Sequence, residues 1–458
     1  MRIISSAFFL GVTLLAGSAA MAAGKAQPYA IRGEAAVPLS AGPATTAHFG
    51  CELRLWASTR LPCYGPEAIR KAYGLASVIA SGYDGTGETI VIIDAYGSPT
   101  IEADLAAFDA LFGVPAPRSF RQIRMPGTLP FDYTDNNQVG WAEETSLDVE
   151  WAHAMAPGAN IVLMVAASNS DVDLLAAQNY AINNEVGHII SESYGESELA
   201  LQQDGAEGVK ILADDERSYR RARDEQISVF VSAGDSGAES YDINGVNQLV
   251  PVAQYPASSP NVTSVGGTNL FFGTATNADP NGSYQGEVVW NDGHGAGGGG
   301  ISRAFGLPRY QYGLGSTRLA QLGGHRGYPD VAYNAGVRGG VIAYLGFLDT
   351  AFGGPGYNGF YIFGGTSAGA PQWAGVAALA NHVARRPIGF VNKSLYRSGR
   401  SGALSFLMHD VTVGDNSFDG VTGFAATSGW DLATGWGTPS SGLVYSLAAT
   451  PDDSPTSD

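Results

Sequence analysis

The sequence predicts an α/β fold in which a predominantly parallel β-sheet is flanked by helices on both faces. Short, continuously apolar segments alternate along the chain with longer segments of helical pattern. Continuous apolar strands are typical of parallel sheets that are covered on both sides. The predicted strands are 89–94, 161–166, 189–193 and 228–232, and the predicted helices are 101–112, 174–186 and 216–226. In such folds, sites lie at the carboxyl ends of the strands.

The first 23 residues have the pattern of a secretory signal peptide. Arg2 precedes an apolar run over 8–16, and the small residues Ala20 and Ala22 form a cleavage motif. The sequence after this segment contains no further run that is apolar and long enough to cross a membrane. We therefore expect a secreted protein, extracellular or periplasmic, that has no membrane attachment once the signal is removed.

The rest of the chain divides by composition into three parts. Residues 24–63 are rich in Ala, Gly and Pro and read as a short N-terminal arm, 64–448 as one folded domain, and 449–458 as a disordered acidic tail. Cys51 and Cys63 are the only cysteines, and in an exported chain they predict a disulfide bridge, with two free thiols as the alternative.

The charge of the chain is strongly acidic. There are 43 acidic and 25 basic side chains, which give a formal net charge of −18. This balance excludes the basic surface by which proteins bind nucleic acids. Because carboxylates that gain a proton stop repelling one another, the composition also suits an acidic medium.

A serine lies where a strand turns into a helix. A predicted strand over 360–363 ends on two glycines, and Ser367 follows just before an apolar helical run. Such a turn exposes the hydroxyl and nearby backbone N–H groups, as a nucleophile requires. A serine in this place can equally be an N-cap.

A second segment carries paired carboxyl groups. If residues 141–155 are helical, Glu144 and Asp148 are one turn apart on the same face, while Leu147 and Trp151 supply an apolar face. The two like charges repel, so the pair is either a functional site or a solvated acidic face.

These segments resemble a known family. Residues 365–375, Gly-Thr-Ser-Ala-Gly-Ala-Pro-Gln-Trp-Ala-Gly, resemble the signature of the subtilisin-like clan of serine peptidases. Residues 144–159 resemble the Glu-x-x-x-Asp helix and Ala-Pro-Gly-Ala segment of sedolisins, and the His-Gly-Thr segment of subtilisins is missing. The resemblance extends over residues 64 to about 447, although the large sedolisin prosegment is replaced by the short arm.

The resemblance implies a serine-carboxyl endopeptidase of subtilisin-like fold that acts on polypeptides as a monomer. Ser367 would be the nucleophile, Glu144 its general base, and Asp148 the group that orients Glu144. A carboxyl group near another one in a desolvated site can have a raised pKa. The neighbouring Glu143 and Glu150 fall on other faces and receive no catalytic role.

The segment 229–237 resembles the oxyanion-hole strand and turn of the same family, in which Asp235 matches the sedolisin aspartate. An ionised carboxylate would repel an oxyanion, so Asp235 must be protonated to donate a hydrogen bond. This requirement implies action at acid pH. Residues 190–195 resemble the edge strand that pairs with substrate, and the glycines 297–300 are either a loop of the same region or a linker.

A calcium site near the C-terminus is also implied by the resemblance. Carboxylates separated by carbonyl-rich turns suit Ca²⁺, which prefers six to eight oxygen ligands. The residues that match the ligands of one structural Ca²⁺ are Asp410 and Asp431 through their carboxylates, and Val411, Thr427 and Gly429 through backbone carbonyls. Thr427 stands where the family usually has glycine.

Two alternative functions stay open. In a histidine-dependent subtilisin-like protease, Asp94 at a strand end would act with a histidine and Ser367. His153, on the predicted helix 141–155, is the histidine that competes with Glu144 for the role of base. A neutral or alkaline optimum would favour that mechanism. The other alternative is a catalytically silent secreted scaffold of the same fold, suggested by the short arm.

Overall fold

The computed structural model describes residues 25–38, 48–53, 62–272 and 284–449. The predicted signal peptide, residue 24 and parts of the arm, and residues 450–458 of the predicted tail lie outside the described residues. Among the described residues, no helix combines the length and the apolar character that crossing a bilayer requires.

The main sheet contains eight strands within the described part of the chain. All neighbouring strands run parallel except Tyr284–Val289, which is antiparallel to Thr263–Phe272. Val331–Asn334 pairs with Thr263–Phe272 as well. The spatial order of the other strands is Tyr284–Val289, Thr263–Phe272, Ser228–Ser232, Ile189–Glu192, Thr89–Ala95, Asn160–Ala166 and Phe120–Arg124.

Side chains alternate between two cores along the central strands. Ile90 and Ile92 pack on one face of the sheet, and Val91 and Ile93 pack on the other. The helices of the first face include Ile101–Phe112, Asn136–Met155 and Gly369–Ala384, and those of the second face include Asp171–Asn183 and Ala206–Asp224. The predicted α/β fold, with a largely parallel sheet between helices, is therefore confirmed.

Smaller elements surround this core. The further α-helices are Pro66–Ala72, Leu75–Ala80, Glu198–Gln203, Ser316–Leu322, Leu348–Ala351, Asn392–Gly399, Leu404–Leu407 and Ser441–Ala449, and the 3₁₀ turns are Gly50–Leu53, Arg309–Gln311 and Thr366–Ala368. The strands outside the main sheet form four smaller sheets. The three-stranded sheet contains Gln27–Pro28, Tyr194–Ser197 and Gln254–Tyr255, and the four-stranded sheet contains Ile31–Ala35, Gly359–Gly364, Gly340–Leu345 and Cys63–Tyr64. The two-stranded sheets are Gly300–Gly306 with His325–Tyr328, and Met408–His409 with Thr438–Pro439.

The helix predicted over 216–226 begins ten residues earlier and spans Ala206–Asp224. Its buried face continues towards the N-terminus through Ile211, which joins Tyr219 and Ala222 in the second core. The helix starts after Gly205, whose positive φ of 67° turns the chain.

The substrate-pairing strand predicted over 190–195 consists of two different strands. Ile189–Glu192 lies inside the main sheet between Ser228–Ser232 and Thr89–Ala95, and is not at an edge. Tyr194–Ser197 lies outside that sheet and pairs with Gln27–Pro28 of the arm. The prediction of one edge strand is thus wrong. A short apolar run in the sequence does not indicate whether the strand has neighbouring strands on both sides, as Ile189–Glu192 does.

The N-terminal arm contains a disulfide bridge. Cys51 and Cys63 are joined, as predicted. The bridge packs against Ile342 and Ile362 of the four-stranded sheet.

Candidate active site

The carboxylate helix, Asn136–Met155, carries two of the predicted site residues. The side chain of Asp135 caps its first turn by accepting the Asn137 N–H at 2.9 Å. Glu144 and Asp148 are both fully buried, one turn apart. The alternative of a solvated acidic face is therefore wrong.

Ser367 reaches the site from the opposite side. The strand Gly359–Gly364 ends at Gly365, whose φ of 102° redirects the chain into the 3₁₀ turn Thr366–Ala368 and the helix Gly369–Ala384. The Ser367 hydroxyl donates to Glu144 Oε2 at 3.0 Å and lies 3.4 Å from the Ser193 carbonyl oxygen. It makes no helix-capping hydrogen bond, so the side chain is directed to the carboxylate.

Glu144 Oε1 and Asp148 Oδ2 are both buried and, in the described part of the chain, neither has a hydrogen-bond partner. The Ser193 hydroxyl donates to Asp148 Oδ1 at 2.9 Å. A proton shared between neighbouring carboxyl groups would satisfy such oxygens, because two ionised carboxylates offer no donor.

The surroundings of the pair favour retention of that proton. Burial raises the pKa of Glu144 well above its ordinary value, and the negative charge of Asp94 raises it further. Burial likewise raises the pKa of Asp148, with added repulsion from Glu144 and Asp94. Asp94 is itself buried at the end of its strand, and burial raises its pKa to about 7. Three carboxyl groups in one desolvated region cannot all be ionised.

Asp235 lies beyond the end of the strand Ser228–Ser232. Its Oδ1 accepts the backbone N–H of Thr366 at 2.7 Å and the Thr366 hydroxyl at 2.8 Å. Oδ2 is buried and has no hydrogen-bond partner among the described residues. Burial raises the pKa of Asp235 to about 8, so Oδ2 can carry a proton at neutral and acid pH.

The position of Asp235 Oδ2 connects it to the serine turn. A Cβ atom built on Gly365 would come within 2.6 Å of this oxygen, so only glycine allows the turn to approach so closely. The predicted glycine loop packs nearby: the Gly298 N–H donates to the Gly234 carbonyl at 2.7 Å, and Gly298 is buried. The glycine run is thus a packed part of the site's surroundings and not a linker.

Histidines do not enter this hydrogen-bond network. His153 Nε2 lies 2.8 Å from the Pro115 carbonyl oxygen and 3.4 Å from Asp109 Oδ1. All seven histidines fall within the described ranges, and there none is hydrogen-bonded to Ser367 or Glu144.

Other carboxyl groups of the carboxylate helix point elsewhere. Glu143 forms an ion pair of 3.3 Å with Arg32 of the arm. Glu150 is buried and accepts the Tyr344 N–H at 2.9 Å. Both contacts lie away from Ser367, in keeping with the faces on which the helical period placed these residues.

Sequence reasoning missed three contributors to the site. Ser193 supports Asp148, Thr366 holds Asp235, and the backbone N–H of Ala30 in the arm donates to Glu144 Oε2 at 2.7 Å. Ser193 and Thr366 lie inside the segments that carry the family resemblance, which is the signal that could have found them. No pattern in the arm indicates the contact of Ala30.

Four of the five predicted calcium ligands, Asp410, Thr427, Gly429 and Asp431, lie close together and are linked by hydrogen bonds. Asp410 Oδ2 accepts the Gly429 N–H at 2.9 Å, and Asp431 Oδ2 accepts the Thr427 N–H at 2.7 Å. Within the described residues, Asp410 Oδ1 is buried without a partner. An unpaired buried carboxylate oxygen fits a hard cation, and burial raises the pKa of Asp410 and that of Asp431, the latter to about 6.

Other features of this turn are less favourable to a cation. The Arg318 guanidinium contacts the Thr427 hydroxyl and brings a positive charge to the turn. No cluster of three or more His, Cys, Asp or Glu side chains suited to a metal occurs in the described ranges. Backbone carbonyls would have to supply the remaining ligands.

Comparisons with known proteins agree with the fold and with the type of site. The model of the Subtilase family matches residues 133–390. Kumamolisin from Bacillus sp. (strain MN-32) is 31% identical over 433 residues, which cover 89% of this chain and 71% of kumamolisin. Sedolisin from Pseudomonas sp. (strain 101) is 30% identical over 76% of this chain and 56% of that protein.

A eukaryotic relative and a solved structure extend this likeness. Human tripeptidyl-peptidase 1 is 29% identical over 82% of this chain and 62% of that protein. The structure of Pseudomonas sedolisin, a serine-carboxyl proteinase complexed with pseudo-iodotyrostatin, superimposes with a TM-score of 0.67 at 27% identity, covering 85% of this chain and 98% of that chain. The family model covers more than half of the chain, and the similarity to kumamolisin and sedolisin runs through most of it, so the chain belongs to the sedolisin family of serine peptidases.

Proposed function

We propose that this chain is an exported serine-carboxyl endopeptidase that hydrolyses polypeptides at acid pH. The single observation that carries the proposal is the 3.0 Å hydrogen bond from the Ser367 hydroxyl to Glu144, in a buried site where Asp148 lies one helical turn from Glu144.

The proposed reaction uses each residue in one role. Glu144 accepts the Ser367 proton as the serine oxygen attacks the substrate carbonyl, and it returns the proton to the leaving amine. Asp148, held by Ser193, is the positioning residue for Glu144. Protonated Asp235 and the backbone N–H of Ser367 donate to the oxyanion. Water then releases the acyl group by the reverse sequence.

Acid pH suits this machinery because two of its parts require protons. Asp235 donates only when protonated, and its pKa of about 8 keeps it so throughout the acid range. The Glu144 and Asp148 pair needs one shared proton, and burial favours that state. As the pH rises, both requirements fail.

We further propose one structural Ca²⁺ held by Asp410, Val411, Thr427, Gly429 and Asp431. The ion would neutralise the two carboxylates and fix the turn between them. The residues 1–23 would direct export, residues 24–63 would form an arm, and residues 64–448 would act as a monomeric peptidase domain.

The test is the hydrolysis of a denatured protein between pH 2 and pH 9. Wild type, Ser367→Ala and Glu144→Gln are compared with Glu150→Gln, which changes a buried carboxyl group of the same helix away from Ser367. We expect acid-confined activity that both site variants lose, by at least about 10²-fold, and that Glu150→Gln retains.

Two results would replace the proposal. Activity near neutral pH that survives Glu144→Gln would move the base to a histidine, as in subtilisins. Absence of hydrolysis by well-folded wild type, with a processed N-terminus, would favour the silent scaffold.

A further inference from the structure

The turn that carries Asp235, residues 234–238, is held by two segments that lie far from it in the sequence. One is the loop 295–299, and the other is the segment 410–431, in which Asn416 is fully buried. Building on the proposed function, we infer that Asn416 is a positioning residue for the oxyanion hole, because it fastens both the loop and the turn and so keeps Asp235 aligned with the Ser367 turn.

Main-chain hydrogen bonds join the loop to the turn. The Gly298 N–H donates to the Gly234 carbonyl at 2.7 Å, and the Ala296 N–H donates to the Asp235 carbonyl at 2.9 Å. The Gly237 N–H donates in turn to the Ala296 carbonyl at 2.8 Å. Asp235 and the residues on either side of it therefore take their place from the loop.

The Asn416 side chain holds this loop on both sides of Gly298. Its Nδ2 donates to the Gly297 carbonyl at 3.1 Å and to the Gly299 carbonyl at 3.3 Å. Its Oδ1 accepts the Phe424 N–H at 2.7 Å. An amide is the group that offers two donors at one end and an acceptor at the other, so the chemistry of this position suits asparagine.

The backbone of Asn416 contacts the turn directly. Its carbonyl oxygen accepts the Ala238 N–H at 3.1 Å. Gly237, at a φ of 60°, approaches so closely that a Cβ atom there would lie 2.2 Å from this oxygen. Asn416 thus fixes the end of the turn through its main chain, and through its side chain it fixes the loop that holds the beginning.

The packing around the loop leaves it little room to move. A Cβ atom built on Gly298 would lie 2.0 Å from the Ala233 carbonyl oxygen, and one on Gly299 would lie 2.1 Å from the Leu432 carbonyl oxygen. Closely packed segments transmit a displacement to their neighbours instead of absorbing it. A shift of the loop would therefore reach the turn that carries Asp235.

The segment that carries Asn416 is itself attached to the main sheet. The Val289 N–H, at the end of the strand Tyr284–Val289, donates to the Val413 carbonyl at 2.9 Å. Asn291 Nδ2 donates to the Ser417 carbonyl at 2.6 Å. Asn416 therefore connects the turn to a part of the molecule that has its own support.

The alignment of Asp235 matters because an oxyanion donor acts only at hydrogen-bond distance from the developing charge. Asp235 Oδ2 would lie 2.6 Å from a Cβ atom on Gly365, in the serine turn. A misplacement of about 1 Å can cost about 10²-fold in rate. Since the charge develops in the transition state, the loss belongs to kcat more than to KM.

The experiment is a double-mutant cycle on the full chain, assayed in acid with one internally quenched peptide that wild type cleaves. Asn416→Ala should lower kcat by about tenfold or more, with KM changed by less than about twofold. In the Asp235→Ala background the same substitution should lower kcat by less than about twofold, because the donor that it positions is already absent. A residue that only stabilises the fold would not show this dependence on Asp235.

The matched control is Asn392→Ala. Asn392 is also fully buried, donates to the Val262 carbonyl at 2.8 Å and accepts the Thr263 hydroxyl at 2.7 Å. These contacts lie at the amino end of the strand Thr263–Phe272, whereas Asp235 follows the carboxyl end of the parallel neighbour Ser228–Ser232. Asn392→Ala should lower the melting temperature about as much as Asn416→Ala does and leave kcat at the wild-type value.

A second variant, Asn416→Asp, preserves the shape of the side chain and the acceptor for the Phe424 N–H. In acid its protonated carboxyl group can donate to only one of the two loop carbonyls. Its kcat should lie between those of wild type and Asn416→Ala, and should again depend on Asp235. It allows the same cycle if Asn416→Ala does not fold.

Several results would overturn this inference and leave the proposed function in place. They are equal losses of kcat with and without Asp235, a wild-type kcat in both Asn416 variants, an equal loss of kcat in Asn392→Ala, and failure of both Asn416 variants to fold, which would make the role one in folding. A wild-type kcat in Asp235→Ala, or wild type that cleaves no peptide or protein, would instead overturn the proposed function.

Discussion

Thr366 donates two hydrogen bonds to one carboxyl oxygen of Asp235, through its backbone N–H at 2.7 Å and through its hydroxyl at 2.8 Å. The other oxygen, Oδ2, is buried without a partner among the described residues. The carboxyl group is therefore oriented with its accepting oxygen towards Thr366 and its free oxygen towards the serine turn. A proton on Oδ2 completes this arrangement.

The first prediction concerns the upper pH limit of activity. In Asp235→Asn, the amide oxygen can accept from Thr366 while the NH₂ group donates at any pH. In wild type this donor is lost as Asp235, whose pKa burial raises to about 8, ionises with rising pH, so Asp235 contributes to the loss of kcat/KM on the alkaline side. The variant should keep its oxyanion donor there, and its upper limit should move to higher pH.

The control for this measurement is Asp235→Ala, which removes the donor. It should lose about 10²- to 10³-fold in kcat at every pH. An upper pH limit that is the same in wild type and Asp235→Asn would show that another group sets it.

The second prediction concerns the support of the general base. Ser193→Ala removes the 2.9 Å hydrogen bond to Asp148 and should lower kcat by about three- to tenfold with KM little changed, in line with one lost hydrogen bond. Asp148→Asn should lower kcat further, because an amide cannot share the proton of Glu144 in the same way. Ser146→Ala, on the same helix, breaks a bond to the Ala142 carbonyl and should leave kcat unchanged. Equal effects of Ser193→Ala on kcat and on KM would argue against positioning.

The third prediction is that the protein is more stable in acid than at neutral pH. Burial raises the pKa of Asp94 and Glu192 to about 7 and that of Asp235 to about 8. The folded state therefore binds more protons than the unfolded state between about pH 4 and these values. Stability should fall with rising pH in that window, by up to about 1.4 kcal/mol per pH unit for each such group.

Thermal unfolding of Ser367→Ala between pH 4 and pH 8 measures this dependence without self-digestion. The melting temperature should decrease across the range. Asp94→Asn in the same background removes one of the titrating groups and should make the decrease shallower. A melting temperature that rises towards pH 8 would contradict the burial-driven shifts.

Much of the fold could be predicted from the sequence because the spacing of apolar residues that marks a helix or a strand is a local pattern. The helix Ile101–Phe112 and the strand Ser228–Ser232 have the predicted bounds, since each combines a clear apolar pattern with definite ends. The spacing of Glu144 and Asp148 likewise determines that they share a helical face. Their burial, in contrast, depends on distant elements that pack over the helix.

Contacts between segments that are far apart in the sequence could not be predicted in this way. Ser193 meets Asp148, which is 45 residues away in the sequence, and Ala30 meets Glu144 through an arm that lacks a strong pattern. Which strand pairs with the arm depends on where the chain leaves the main sheet after Ile189–Glu192. These contacts result from tertiary packing, so no periodic pattern in the sequence indicates them.

The fourth prediction tests the calcium proposal by chelation. Asp410 Oδ1 is buried and, in the described part of the chain, has no partner, so a bound cation would relieve an uncompensated oxygen. A ligand at a hundred times its Kd adds about 2.7 kcal/mol to the free energy of unfolding. For a domain of this size that corresponds to a shift of about 3 °C.

We therefore expect a chelator to lower the melting temperature of Ser367→Ala by several degrees and added Ca²⁺ to restore it. Asp410→Asn in the same background should melt at the lower temperature and show no response to either addition. Asp415→Asn is the matched control, because Asp415 lies in the same segment but accepts from the Ser417 N–H at 2.9 Å on the exposed surface. It should respond to the chelator as its parent does. If the chelator leaves the parent's melting temperature unchanged, the N–H groups of Thr427 and Gly429 already satisfy the two carboxylates sufficiently, and Arg318 supplies the only compensating charge that the turn requires.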